Sequence, residues 1–299
     1  WLAFCQIDFM GLDINSVQFL IAARKRGADF GDVLMIGRQD LNVYPAKMRH
    51  LLADAGLPDE LFLPGAPDTG FAEPAFKSFG ARSIASLDAS SFEGAGFVHD
   101  LNNPIGSELK QRFDLVYDGG TLEHVFNFPM ALQNCMEMVR ENGRLISHTC
   151  ANNWCGHGFY QFSPELFYSV FNDDNGFEVE RMVLHVVGPY NRWYEVASPQ
   201  AVRARVELFN CFPLQLLVQA RRKKIVPLFG RMPQQSDYSP RWDNKTSDQA
   251  KVFAPDRLKL AGVFPGFARL LNVARNGWHL WHNHSLRNRR NFKPVPKGQ

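Results

Sequence analysis

The sequence predicts an α/β fold in which a mainly parallel sheet is covered by helices on both faces. Short apolar runs alternate with stretches of helical periodicity, the pattern of strand–helix–strand units. The first of these runs, Asp32-Val33-Leu34-Met35-Ile36-Gly37, is apolar without alternation, as a strand buried on both faces requires. Several runs close on Gly or Asp, residues that turn a chain off a strand. Of 299 residues, 45% are apolar and 21% charged, enough for a sizeable core. This excludes a mainly disordered chain, a collagen-like repeat and a bare coiled coil. The length suits one large domain with an appendage, or two modest ones. No run of 18 apolar residues occurs, so no membrane-spanning helix is expected.

The elements follow in order. Val17 to Ala23 has helical spacing, with Asp13 or Asn15 as cap and Gly27 as stop. After the first strand, Met48, Leu51, Leu52 and Ala55 mark a second helix that Gly56-Leu57-Pro58 ends. Residues 58–80 are rich in Pro, Gly and Phe and read as an irregular insertion with one short helix at 73–79. Strands are expected at 83–87, 96–99, 115–117 and 144–147, with a helix at 130–139. Ser163-Pro164-Glu165 opens another helix. Strands at 176–187 and 214–220, with a helical stretch at 202–209 between them, complete the sheet.

Charge divides the chain. From Arg257 to Gln299 there are nine Lys or Arg and no acidic residue, while the remainder carries 24 basic against 30 acidic side chains. The predicted organisation is therefore a domain at 1–222 and a basic helical extension at 223–299. Phe267, Leu270, Leu271, Ala274, Trp278 and Trp281 lie at helical spacing there. Such a helix packs on the core, on a second copy of the chain, or on an anionic membrane surface. Nucleic acid is not expected as a partner, because the body is acidic and the tail has no recognised motif. Five scattered cysteines make no disulfide scaffold, and their odd number suits a reducing cytoplasm.

Four strand ends carry suggestive residues: Gly37-Arg38-Gln39, Asp88, Asp100-Leu101-Asn102 and Asp118-Gly119-Gly120-Thr121. In open α/β sheets, ligands sit beyond the carboxyl ends of the strands, where the strand order reverses. Asp88 suits two ribose hydroxyls and Asp100 an exocyclic amine; each residue alone equally suits a turn. A nicotinamide fold would need Gly-x-Gly-x-x-Gly and an acidic residue about 20 positions on. Only Gly37 is present here, so that reading is set aside.

These residues, with Ser86-Leu87-Asp88-Ala89-Ser90, Phe113 to Val125, Glu141-Asn142-Gly143-Arg144-Leu145-Ile146 and Gly156 to Phe167, resemble the class I adenosylmethionine-dependent methyltransferases. The resemblance covers about residues 13–222, and the 113–125 block is its most specific part. It implies a Rossmann-like, doubly wound sheet of seven strands in the order 3-2-1-4-5-7-6, the last antiparallel. It also implies S-adenosyl-L-methionine as cofactor. Gly37, Arg38 and Gln39 would line its methionine part, Asp88 and Ala89 its ribose, Asp100 and Leu101 its adenine. Asp118, Gly119, Gly120 and Thr121 would flank the sulfonium and the acceptor. The family's three spaced glycines are replaced here by Gly37-Arg38-Gln39-Asp40-Leu41. Two residues with Cβ atoms thus stand where backbone would approach the ligand: either Arg38 re-forms the pocket by pairing with the cofactor carboxylate, or the pocket is narrowed. The alternative expectation is a non-catalytic protein of this fold that binds a ligand or a partner.

In methyl transfer from a sulfonium the leaving group is already activated, so the protein chiefly aligns the reactants. A hydroxyl or amine acceptor also needs a base. His124, Glu123 and His157 are the candidates, since the resemblance puts each near the carboxyl edge of the sheet. The acceptor is expected to be a small molecule, with carbohydrate suggested by the family alone. His148, Cys150, Cys155 and His157 match no usual zinc spacing, and no metal is expected.

Overall fold

A computed structural model describes residues 11–66, 69–188, 191–236, 277–278 and 281–298. Among the described residues, its centre is one nine-stranded sheet. The strands are β1 (Asp32–Ile36), β2 (Ser83–Asp88), β3 (Phe97–Val98), β4 (Phe113–Asp118), β5 (Val139–Asn152), β6 (Phe177–Val186), β7 (Arg192–Val196), β8 (Leu214–Arg222) and β9 (Phe292–Val295). They run in the order β3-β2-β1-β4-β5-β8-β6-β7-β9. The pairs from β3 to β5 are parallel and all others antiparallel. The stretch from β3 to β6 reproduces the predicted 3-2-1-4-5-7-6 order, with β8 as the antiparallel strand.

Seven strands were expected; β7 and β9 extend the far edge to nine. β9 comes from the basic C-terminal stretch, and its Phe292 is buried in the main core. The helical stretch predicted at 202–209 is reduced to α6 (Pro199–Val202), because Arg203 takes a left-handed φ of 50° and ends it. The other helices are α1 (Ile14–Lys25), α2 (Pro45–Asp54), α3 (Glu73–Ser78), α4 (Phe128–Met138) and α5 (Pro164–Val170). The expected helix around residues 267–281 lies mostly outside the described residues; Trp278 and Trp281 are described and exposed. Among the described residues, no helix is long and apolar enough to cross a membrane.

Helix α1 starts as predicted: the Asp13 carboxylate accepts the N–H groups of Asn15 (2.9 Å) and Ser16 (2.8 Å). Arg24 and Lys25 sit in its last turn, favourably against the helix dipole. Nearly the whole helix is buried, Asn15 and Ser16 included, so its polar amino end lies inside the protein.

The continuous apolar run of β1 serves two cores. Val33 and Met35 enter one with Phe76, Tyr117 and Trp193; Leu34 and Ile36 enter the other with Leu87, Val116 and Phe162. Since both faces are apolar, a one-residue slip would cost little hydrophobic burial, and polar contacts must set the register. At the amino edge, Asp114 Oδ2 accepts the Asp32 N–H (2.7 Å) and pairs with Arg82 and Arg140. The carboxyl edge is pinned by the residues of the site.

Candidate active site

The strand order reverses between β1 and β4, so the crevice expected for a ligand opens outside their carboxyl ends. β1 leaves the sheet through Gly37, whose φ of +71° favours glycine. β4 leaves through Asp118-Gly119-Gly120-Thr121. The Asp118 side chain is fully buried. Its carboxylate accepts the N–H groups of Thr121 (2.9 Å) and Leu122 (3.2 Å) and the Ser147 hydroxyl (2.7 Å). Burial pushes this carboxyl above the usual range. Asp118 thus shapes the turn from inside, with its carboxylate engaged by these donors. Thr121 ties the two turns together, its hydroxyl donating to the Ile36 carbonyl (2.7 Å).

Gln39 fills the gap between those turns. Its Nε2 donates to the Ile36 carbonyl at 2.6 Å. Its Oε1 lies only 2.1 Å from where a Cβ on residue 119 would sit, so Gly119 is the residue that leaves room for it. Arg38 points elsewhere. Its Nε donates to Glu73 Oε1 (2.7 Å), Nη1 donates to the Glu93 carbonyl (2.7 Å), and the guanidinium lies 3.8 Å over the Phe71 ring. Arg38 is thus paired within the protein, and it is Gln39 that occupies the space beside Gly119.

On the β2–β3 side, Asp88 is half-buried, and the only hydrogen bond to its carboxylate among those described is a 3.3 Å contact from the Ser90 N–H. Ala89 beside it is exposed. Asp100 is exposed and closes its own turn, accepting from Asn102 N (3.0 Å), Asn102 Nδ2 (2.7 Å) and Asn103 Nδ2 (3.2 Å). The Asn102 backbone contact leads the effects that hold its carboxyl below the usual range. Leu101 is buried in the core, and Asn134 donates to its carbonyl.

Glu123, His124 and His157 come together. One ligand-type atom from each lies within 4.8 Å of the other two. Glu123 is fully buried, His157 half-buried and His124 exposed, so the group runs from the interior to the surface. Glu123 Oε2 accepts the Thr149 hydroxyl (2.9 Å), while Oε1 is buried without a hydrogen-bond partner. Burial first, and the Asp118 charge second, push the Glu123 carboxyl above its ordinary range. Burial, followed by repulsion from His124, pushes His157 down.

The 157 loop is stitched to this acid. The N–H groups of Phe159 (2.9 Å) and Tyr160 (3.2 Å) both donate to the Glu123 carbonyl. A Cβ at Gly158 would stand 2.8 Å from that carbonyl oxygen. Gly158→Ala should therefore push the loop off Glu123 and destabilise the protein by about 1–3 kcal/mol, measured by urea unfolding.

A second polar group at the same edge was not foreseen. Asp13, Asn15, His148, His185, Asn191 and Lys297 lie on the α1 side of the sheet. His148 Nδ1 is 3.9 Å from Asp13 Oδ1, and Lys297 Nζ donates to Asn15 Oδ1 at 2.8 Å. Asp13 reads in sequence as a helix cap and nothing more, and Lys297 reaches Asn15 from 282 residues further along the chain.

No family model and no curated protein matches the chain. Among solved structures, it is similar to the N-methyltransferase NodS of Bradyrhizobium japonicum in complex with S-adenosylhomocysteine. That match has 12% identity, 71% of this chain, 90% of that one and a TM-score of 0.39. The 1,6-didemethyltoxoflavin-N1-methyltransferase of Burkholderia thailandensis matches at 13% identity over 71% and 80%, with a TM-score of 0.38. The branched-chain polyamine synthase of Thermus thermophilus matches at 13% over 79% and 64%, with a TM-score of 0.37.

Proposed function

We propose that the chain is an S-adenosyl-L-methionine-dependent methyltransferase acting on a small-molecule acceptor, with residues 1–222 as its catalytic part. The observation that carries this reading is the meeting of Glu123, His124 and His157 just past β4, beside the strand-order reversal. The strand order, with β8 antiparallel, agrees with the sequence resemblance.

The residues fit the cofactor unevenly. At the nucleoside end, Asp88 has acceptor capacity left for two ribose hydroxyls. At the methionine end, Gln39 must swing off Gly119 before a ligand can lie against the Gly37 turn. The bound cofactor supplies an activated methyl group; the protein's part is to align an acceptor with it and take the acceptor's proton. His124, exposed at the mouth of the cluster, is the side chain open to an acceptor, with His157 beside it and Glu123 behind.

Calorimetric titration with S-adenosylmethionine and S-adenosylhomocysteine tests this. Asp88→Ala should weaken binding about 10- to 100-fold, the worth of hydrogen bonds to a charged group. Gln39→Ala should tighten it. The position of Gln39 favours a second reading, a protein of this fold that holds a partner without turnover. Absence of binding by both the native protein and Gln39→Ala would support that second reading and overturn the first.

A further inference from the structure

We propose that Glu123, His124 and His157 form a binding site for a divalent first-row transition-metal ion. Three features on separate segments converge on it. The ligand atoms of one carboxylate and two imidazoles already lie within 4.8 Å of one another. Two of the three residues carry an unsatisfied buried atom, Oε1 of Glu123 and Nε2 of His157. Orphaned buried polar atoms are costly, and one ion would satisfy both. The remaining oxygen of Glu123 is fixed by the Thr149 hydroxyl, which leaves Oε1 as the ligand and sets the plane of the carboxylate, as outer partners of metal ligands do.

The surroundings hold the site together before an ion arrives. The backbone carbonyl of Glu123 takes two N–H groups from the loop that carries His157, so both ligands move as one unit. Metal–ligand bonds of about 2.0–2.2 Å need ligand atoms roughly 3–3.5 Å apart, so closure takes about 1 Å of side-chain movement. Two imidazoles with a carboxylate select zinc, cobalt or ferrous iron over magnesium and calcium, which prefer all-oxygen shells. Three protein ligands leave coordination positions open, as catalytic sites do and structural sites do not. His124 is the exposed ligand, so the open positions face outward. Cys150 and Cys155 are outside the group, so the site is distinct from the zinc pattern that their spacing failed to make.

The proposal rests on and deepens the methyl-transfer reading: an ion held by His124 and His157 would activate the acceptor as a Lewis acid in place of His124 acting as a free base, and because metal uptake is measured without cofactor or acceptor, the two can fail separately. The protein is stripped with chelator, checked by circular dichroism and titrated with Co(II) followed by visible absorption. One equivalent should bind, be displaced by Zn(II), and be unaffected by millimolar Mg(II). His124→Ala, at an exposed position that leaves the fold intact, should weaken Co(II) binding at least tenfold. The His124→Ala/His157→Ala pair should abolish it, and Thr149→Val should weaken it about tenfold. The proposal is overturned by folded native protein that takes up no Co(II), by uptake that persists in the double variant, or by Mg(II) competing on equal terms.

Discussion

Glu123→Gln should make the metal-free protein more stable above neutral pH while removing its function. The native carboxyl is buried with one orphaned oxygen, and its folded pKa is raised by burial and by Asp118. A carboxyl raised on folding contributes nothing unfavourable in acid, where both states are protonated. As pH rises past about 4.5 the unfolded chain ionises first, and stability is lost until the folded group ionises too. Glutamine removes that titration and still accepts the Thr149 hydroxyl. The folded carboxyl is pushed up to about 8, so the gap between variant and native protein should open from pH 5 upward and approach about 5 kcal/mol by pH 9. Urea unfolding at pH 5, 7 and 9 in the presence of chelator measures it; parallel profiles would show that the carboxyl is not strained. On the proposed function, loss of the acid should at the same time cut methyl transfer by roughly 10²–10⁴-fold. A residue whose removal stabilises the fold and destroys activity is held there for function.

What the chain disclosed in advance follows a physical boundary. The β1 run and the apolar start of the 113–125 block are local patterns, and they form the strands β1 and β4 that their patterns predict. Glu123, His124 and His157 could be singled out because the family resemblance puts each near the carboxyl edge of the sheet. Strands β7 and β9 were illegible for different reasons. Arg192–Val196 is five residues long and mixes charge with aromatics, and Phe292–Val295 contains Pro294, which argues against a strand except at a sheet edge. The edge is where β9 lies. Nothing local in the sequence says that Asp118 turns inward to two backbone N–H groups and Ser147, or that Arg38 is neutralised by Glu73, 35 residues on. The same holds for Gln39: only the approach of β4 to β1 makes Gly119 its seat. Direction of a side chain at a strand end is set by the neighbouring strand, and a single sequence does not name the neighbour.

Acid should destabilise the protein through His185, with the opposite sign to Glu123. His185 is 3% exposed on β6, its Nδ1 2.8 Å from Gln215 Oε1 and its Nε2 2.6 Å from Asn191 Oδ1. Burial is the main cause that pushes it down to about 4; the Lys297 ammonium adds to this, while Gln215, Asn191 and Asp13 oppose it. A histidine lowered on folding lends its stability above the unfolded pKa, near 6.5. That stability is lost as pH falls toward 4, because the unfolded chain takes the proton first. The fall from 6.5 to about 4 corresponds to roughly 3 kcal/mol. Lys297 remains charged across this window, and Asp13, itself held below its ordinary 3.8, titrates under it. Glu123 and Asp118 gain stability over the same range, so the native profile alone mixes both signs. Subtraction of the His185→Gln profile isolates the histidine: the native protein should lose about 3 kcal/mol relative to the variant between pH 6.5 and 4. A constant difference across that interval would mean that His185 carries its proton inside the fold, and that Lys297 and Asn15 are not closing the α1 side of the sheet against water.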